Sequence, residues 1–116
     1  MLRTGDQYRD SLCDGREVWV DGKKVEDVTS HPVFKPIVDI RARIYDMAHE
    51  EKFREQLTYI DETSGEKNCI GSKLPKTKSD WLSKRQAIKT IMYEIGAVVT
   101  RVGDETVGEM WSLYDG

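Results

Sequence analysis

The chain has little cysteine and little histidine, two of each in 116 residues. Cys13 and Cys69 lie far apart, form no CxxC pair and share no cluster with His31 or His49. A structural zinc site needs closely spaced thiolate and imidazole ligands, so no metal centre is expected. Two reduced thiols are the ordinary reading. Long apolar runs are also missing; none approaches the ~20 residues that cross a bilayer. The N-terminus lacks the basic-then-apolar pattern of a secretory leader, so the expected location is cytoplasmic. Basic charge is not in excess: 18 Lys and Arg stand against 21 Asp and Glu, for a net charge of −3. That balance argues against a general nucleic-acid or membrane-surface binder. The run Lys73, Lys76, Lys78 has no Gly-rich turn leading onto a helix, so it reads as a solvated loop rather than a phosphate cradle. Trp19, Trp81 and Trp111 are too scattered for a base-stacking platform and read as packing residues. There are no internal repeats and no low-complexity segments. The length allows one domain with a modest core.

What is present is a tight string of local signals. Thr4-Gly-Asp-Gln7 reads as a capping box, with Thr4 capping free N–H groups and Gln7 reaching back. A short helix should run from it to about Leu12 and stop near Gly15. Asp21-Gly22 between Glu17–Val20 and Lys23–Val25 predicts a hairpin with a type I′ turn, because both central residues of that turn need positive φ. Ser30 reads as an N-cap and Pro32 as a first-turn residue, where a missing N–H costs nothing. Ile37, Ile40, Ile44 and Met47 recur at helical spacing, with Arg41, Arg43 and Asp46 on the polar side, so a helix is predicted to about His49. Pro36 falls early enough to be tolerated.

Leu57–Ile60 and Asn68–Ile70 read as short strands around Glu62-Thr-Ser-Gly65, a second hairpin. Thr77-Lys-Ser-Asp80 resembles another helix start. The apolar row Trp81, Ile88, Ile91, Ile95, Val98, Val102, widened by Met92 and Val99, predicts the longest helix, ended or bent by Gly103. Asp104 could cap a final helix carrying Val107, Met110, Trp111 and Tyr114 on one face. The fold class is therefore α+β, mainly α-helical with two small β-hairpins. Trp111 and Tyr114 still need something to pack on, which predicts further protein or a partner after Gly116.

Read in order, these segments resemble the N-terminal domain of the 4-hydroxyphenylacetate 3-monooxygenase large-component (oxygenase) family. The matching residues are Arg3–Tyr8, Asp14–Val18, Asp21-Gly22 with Val25–Val28, Thr29–Pro32 with Phe34, Ile44–Asp46, Leu57–Tyr59 and Leu74-Pro75. Together they cover essentially residues 1–116, so the chain reads as that N-terminal domain, truncated at its C-terminus. The resemblance implies the helical N-terminal domain of an acyl-CoA-dehydrogenase-like flavoenzyme. It implies a longer protein with a central β-barrel and a C-terminal helical bundle, assembled as a homotetramer. It also implies a two-component, FADH2-dependent monooxygenase. FAD reduced by a separate flavin reductase would react with O₂, and one oxygen would go ortho to the hydroxyl of a 4-hydroxyphenylacetate-like phenol. Such a cofactor carries the hard chemistry, and the protein positions the phenol and excludes water. The isolated chain would be inactive, and flavin contacts cannot be assigned within it.

The resemblance carries one site residue over. An Arg near the end of the long helix lines the phenol site in the hydroxylases, and Arg101 holds that position here. A guanidinium there could hold a phenolate. Without the resemblance, at about 100° per residue, Arg101 lies roughly 120° from the centre of the apolar stripe and reads as a surface residue. The family's Tyr a few residues later is absent; the region reads Val102-Gly-Asp-Glu105, so Glu105 or its neighbour replaces it. Alone, Glu105 reads as a first-turn carboxylate complementing a helix dipole. His31 and His49 read as structural. Two alternatives stay open. One is a 4-hydroxybutyryl-CoA dehydratase-like flavoprotein, whose iron–sulfur cluster needs thiolate ligands where this chain has Val98 and Val102. The other is a stand-alone interaction module docking through its last helix.

Overall fold

The computed structural model describes residues 2–96 and Leu113. Within them the fold is helical with two small antiparallel strand pairs, in the order α1 (Gly5–Asp10), β1 (Val18–Val20), β2 (Lys23–Val25), α2 (Lys35–Met47), α3 (Glu51–Leu57), β3 (Thr58–Ile60), β4 (Lys67–Cys69), a 3₁₀ turn (Ile70–Ser72) and α4 (Lys78–Glu94). The chain divides into two compact units, Arg3–Asp46 and Met47–Gly116 with Met1–Leu2. No helix among the described residues is long and apolar enough to cross a membrane.

In the Arg3–Asp46 unit the capping box forms as expected. Thr4 Oγ1 accepts the Gln7 amide at 3.2 Å and Gln7 Oε1 accepts the Thr4 amide at 2.9 Å. The helix is shorter than predicted; it ends at Asp10, and the chain leaves through turns closed by the Leu12 and Cys13 amides. The first hairpin pairs Val18 with Val25, Trp19 with Lys24 and Val20 with Lys23. Asp21 at φ 49° and Gly22 at φ 72° supply the two positive-φ positions that a type I′ turn demands. Val25, Val38 and Ala42 are buried.

The expected cap at Ser30 does not form. The Asp27 carboxylate takes the Thr29 amide at 2.8 Å, the Thr29 hydroxyl at 2.7 Å and the Ser30 hydroxyl at 2.9 Å. An aspartate that bonds its own downstream backbone makes a turn that competes with helix entry. So α2 starts later, at Lys35, with Pro36 in its first turn, and ends at Met47. Of the predicted apolar row, Met47 is fully buried and Ile40 and Ile44 are half-buried. Val38 and Ala42 face the interior, whereas Ile37 is exposed.

In the second unit, α3 was not anticipated. Its seven residues are mostly charged, and Phe53 and Leu57 alone are too few to reveal a period. Leu57 is 2% exposed, a burial that contributes about 1.5–3 kcal/mol. The chain then reverses into β3, whose partner β4 sets Thr58 against Cys69, Tyr59 against Asn68 and Ile60 against Lys67.

α4 opens at the predicted helix start, and the start is a capping box. Thr77 Oγ1 accepts the Asp80 amide at 3.2 Å, and Asp80 Oδ2 accepts the Thr77 amide at 2.9 Å. Its buried row is Lys84, Ala87 and Ile91. Trp81, expected in the core, is 56% exposed. Trp81 sits in the first turn of α4, ahead of the row that is buried. Lys84, the polar member of the buried row, donates through Nζ to the carbonyls of Gly71 at 2.7 Å and Lys73 at 2.9 Å. The helix also ends earlier than the apolar row suggested, at Glu94, with Ile95 as C-cap and Gly96 at φ 77°. A left-handed glycine just past the last turn is a standard helix stop, and it precedes Gly103. Val98, Val102 and the final helix predicted after Asp104 lie outside the described residues.

Candidate functional site

Arg101 and Glu105, the two residues proposed to meet a phenol, lie outside the described residues. Among those described, an open groove of ≈ 870 Å³ lies in the second unit, between α3, β3, the 3₁₀ turn and α4. Its floor includes Thr58, Tyr59 and Ile70, and one wall is the outer face of α4.

One lining residue, Lys73, is held by two residues outside the lining, Lys84 and Asp80. Lys84 anchors the backbone of the Gly71–Lys73 segment. Lys73 Nζ then reaches Asp80 Oδ1 at 2.6 Å, and Asp80 is only 14% exposed at its side chain. Asp80 Oδ2 also accepts the amides of Lys76 at 3.1 Å and Thr77 at 2.9 Å, and the Thr77 hydroxyl at 2.8 Å. The Lys73 ammonium first, and then the Thr77 bonds, hold the Asp80 carboxyl well below the usual carboxylate range. The loop run that the sequence suggested was merely solvated therefore has one member, Lys73, in a part-buried ion pair.

Tyr59 lies beside Lys73, whose Nζ is 5.8 Å from its ring centre. Burial raises its phenol above the ordinary value, and the nearby Asp61 charge adds to that, against Lys73 and a bond from Asn68. On the α3 side, Thr90 Oγ1 donates to Gln56 Oε1 at 2.6 Å. Arg85 and Lys89 sit one helical turn apart on α4, so both line the groove. Glu55 is the one carboxylate among the lining residues.

The chemistry available is binding rather than catalysis. The groove offers cations, hydroxyls and two side-chain amides, but no nucleophile held by a base. Among the described residues no group of His, Cys, Asp and Glu could hold a metal ion. Cys13 and Cys69 are free and exposed. His31 has a packing role: its Nδ1 accepts the Val33 amide at 3.3 Å and its ring lies 5.5 Å from that of Phe34. His49 accepts through its backbone carbonyl a 2.8 Å bond from Arg54. Sequence reasoning missed the groove because α3 was missed. The one available signal was the Arg85–Lys89 spacing on a predicted helix.

Residues 4–116 match the family model described as 4-hydroxyphenylacetate 3-hydroxylase N terminal. The 4-hydroxyphenylacetate 3-monooxygenase oxygenase component of Thermus thermophilus is 42% identical over 90 residues, which are 77% of this chain and 18% of that protein. The 2,4,6-trichlorophenol monooxygenase of Cupriavidus pinatubonensis is 35% identical over 105 residues, 90% of this chain and 20% of that protein. A crystal structure of a 4-hydroxyphenylacetate 3-monooxygenase oxygenase component with FAD and 4-hydroxyphenylacetate superposes with a TM-score of 0.70 at 41% identity, covering 77% of this chain and 18% of the other. An archaeal 4-hydroxybutyryl-CoA dehydratase from N. maritimus superposes with a TM-score of 0.67 at 22% identity, covering 79% of this chain and 18% of that one, and shares the fold. The chain thus spans about a fifth of the length of the relatives it matches.

Proposed function

The chain belongs to the 4-hydroxyphenylacetate 3-hydroxylase N-terminal family, and from that premise we propose that it forms the N-terminal domain, residues 1–116, of a longer flavin-dependent aromatic monooxygenase. The substrate class is a phenol, hydroxylated ortho to its hydroxyl. The observation that carries this reading is the match over residues 4–116 together with relatives that act on 4-hydroxyphenylacetate and on a chlorinated phenol. The cofactor is FAD, supplied in reduced form by a separate flavin reductase, and the working assembly is a homotetramer in the cytoplasm. Reduced FAD would supply the activation of O₂.

The described residues do not themselves fit a flavin. Their groove is open and polar, whereas a cofactor of that size is held in a largely enclosed, mostly apolar cleft. No step of the reaction is therefore assigned to them. In this reading Arg101 holds the phenolate oxygen through its guanidinium, and Glu105 stands where the hydroxylases carry a tyrosine, so it shapes which phenol is accepted. The dehydratase reading is disfavoured because residues 98 and 102 are valines, which cannot ligate iron.

The test is substitution in the longer enzyme. With reductase, NADH, FAD and a panel of phenols, Arg101→Ala should raise the phenol KM or Kd by about tenfold or more, the loss of a charged hydrogen bond. Unchanged phenol affinity and rate would remove Arg101 from the site. The 116-residue chain alone, given reduced FAD and 4-hydroxyphenylacetate, should give no catechol product; turnover by it would overturn the reading.

A further inference from the structure

The groove on α4 has a charge opposite to that of the molecule. The chain carries a net charge of −3, yet the groove is lined by Lys73, Arg85 and Lys89 against the single carboxylate of Glu55. Lys73 is spoken for by Asp80. Arg85 and Lys89 form no ion pair among the described residues, and both are exposed. Next to them Leu82, also lining the groove, is 54% exposed. Two unneutralised cations one turn apart beside an uncovered leucine make a mixed surface, with an apolar contact flanked by charge.

The shape narrows the occupant. A small ligand is normally enclosed over most of its surface. This groove is open along α4, and its α4 wall is made of exposed side chains, as suits a segment laid across it. The relatives supply a source of such a segment, because this chain spans only 18% of the Thermus protein.

We propose that the groove is a docking surface for an acidic segment of polypeptide from the part of the longer enzyme that this chain does not span. The segment sets carboxylates against Arg85 and Lys89 and an apolar side chain against Leu82. Opposite charges specify the register of docking, and the apolar contact supplies area removed from water. The inference rests on the chain being one part of a longer oxygenase, but not on what that enzyme oxidises.

The experiment titrates the isotopically labelled 116-residue chain with overlapping synthetic peptides. These cover the portion of the Thermus thermophilus oxygenase component outside its matched segment. Inorganic phosphate and poly-lysine serve as controls. An acidic peptide should move the Tyr59, Leu82, Arg85 and Lys89 amides saturably, and poly-lysine should not. The doubly reversed variant Arg85→Glu/Lys89→Glu removes two charge-assisted hydrogen bonds and should weaken that peptide by about a hundredfold, with its thermal melt unchanged. Three results overturn the proposal: no peptide binds, binding survives the charge reversal, or phosphate alone saturates the same amides equally well. Because the readout is binding, failure of the hydroxylase reading would appear separately, in the turnover assay.

Discussion

Asp46 Oδ1 accepts the backbone amide of Gly5 at 2.7 Å, and a Cβ placed on Gly5 would stand 2.5 Å from the other oxygen of the same carboxylate. The first helical N–H has no partner within its helix, so the α2 carboxylate satisfies it and draws α1 onto α2. The Ala42 carbonyl, 2.7 Å from that same Cβ, closes the gap from the other side. Gly5→Ala should therefore destabilise the fold by about 1–3 kcal/mol, the cost of overpacking. Urea unfolding followed by circular dichroism measures it. Trimming the carboxylate as well, in Gly5→Ala/Asp46→Ala, should not restore stability, because the Ala42 carbonyl remains in the way.

Lys84 is the buried cation of α4, 5% exposed. Lys84→Met keeps the aliphatic length but leaves the Gly71 and Lys73 carbonyls without their donor. The expected loss is about 1 kcal/mol per part-buried carbonyl left without its donor. The same variant should speed hydrogen exchange in the 3₁₀ turn more than in α2, which a residue-resolved exchange experiment reads directly.

Acid should weaken the N-terminus of α4. The Asp80 carboxyl is depressed by Lys73 and Thr77. A depressed folded value means its stabilisation is complete above the unfolded carboxylate value of about 4 and is lost as pH falls through the folded one. Asp14, held by Arg16, behaves likewise, with its carboxyl lowered to about 2. The midpoint of thermal unfolding should therefore drop as pH falls below that range, and Asp80→Asn should flatten part of the drop. An unchanged pH profile in Asp80→Asn would remove the carboxylate from the account.

The capping role of Thr77 has its own signature. Thr77→Ala should cost about 1 kcal/mol, and Thr77→Ser should recover most of it, since the hydroxyl is what accepts the Asp80 amide. Thermal melts of the two variants decide the point.

In the first hairpin, Gly22→Val puts a β-branched residue at φ 72°. Nothing crowds the position, so the penalty is purely one of backbone conformation, about 1–2 kcal/mol. It should register as faster amide exchange across Val18–Val25 with α4 unaffected.

What the sequence made legible were features written in a few adjacent residues. Thr4 with Gln7, Thr77 with Asp80, and Asp21-Gly22 each form a closed local circuit, and each formed as expected. Features decided by tertiary partners were less legible. Ser30 lost its capping role to the Asp27 carboxylate. Trp81, in the first turn of α4, lies ahead of the buried row, which a lysine opens rather than an apolar residue. α3 carries too few apolar residues to announce a helix, and the groove it walls was hidden with it. Arg101 and Glu105 were reached through resemblance, not through any local physical signal.

Lys84 grips the Gly71–Lys73 segment by its main chain alone. A hold of that kind is indifferent to side-chain identity, so Ser72 is free to drift in sequence without loosening the rim of the groove. The mutational constraint on this loop is thus displaced out of the loop, onto a position on a helix that no one scanning the loop would inspect. A saturation scan at Ser72 would find tolerance where the architecture is in fact strict, and intolerance at Lys84, where the loop's fate is decided.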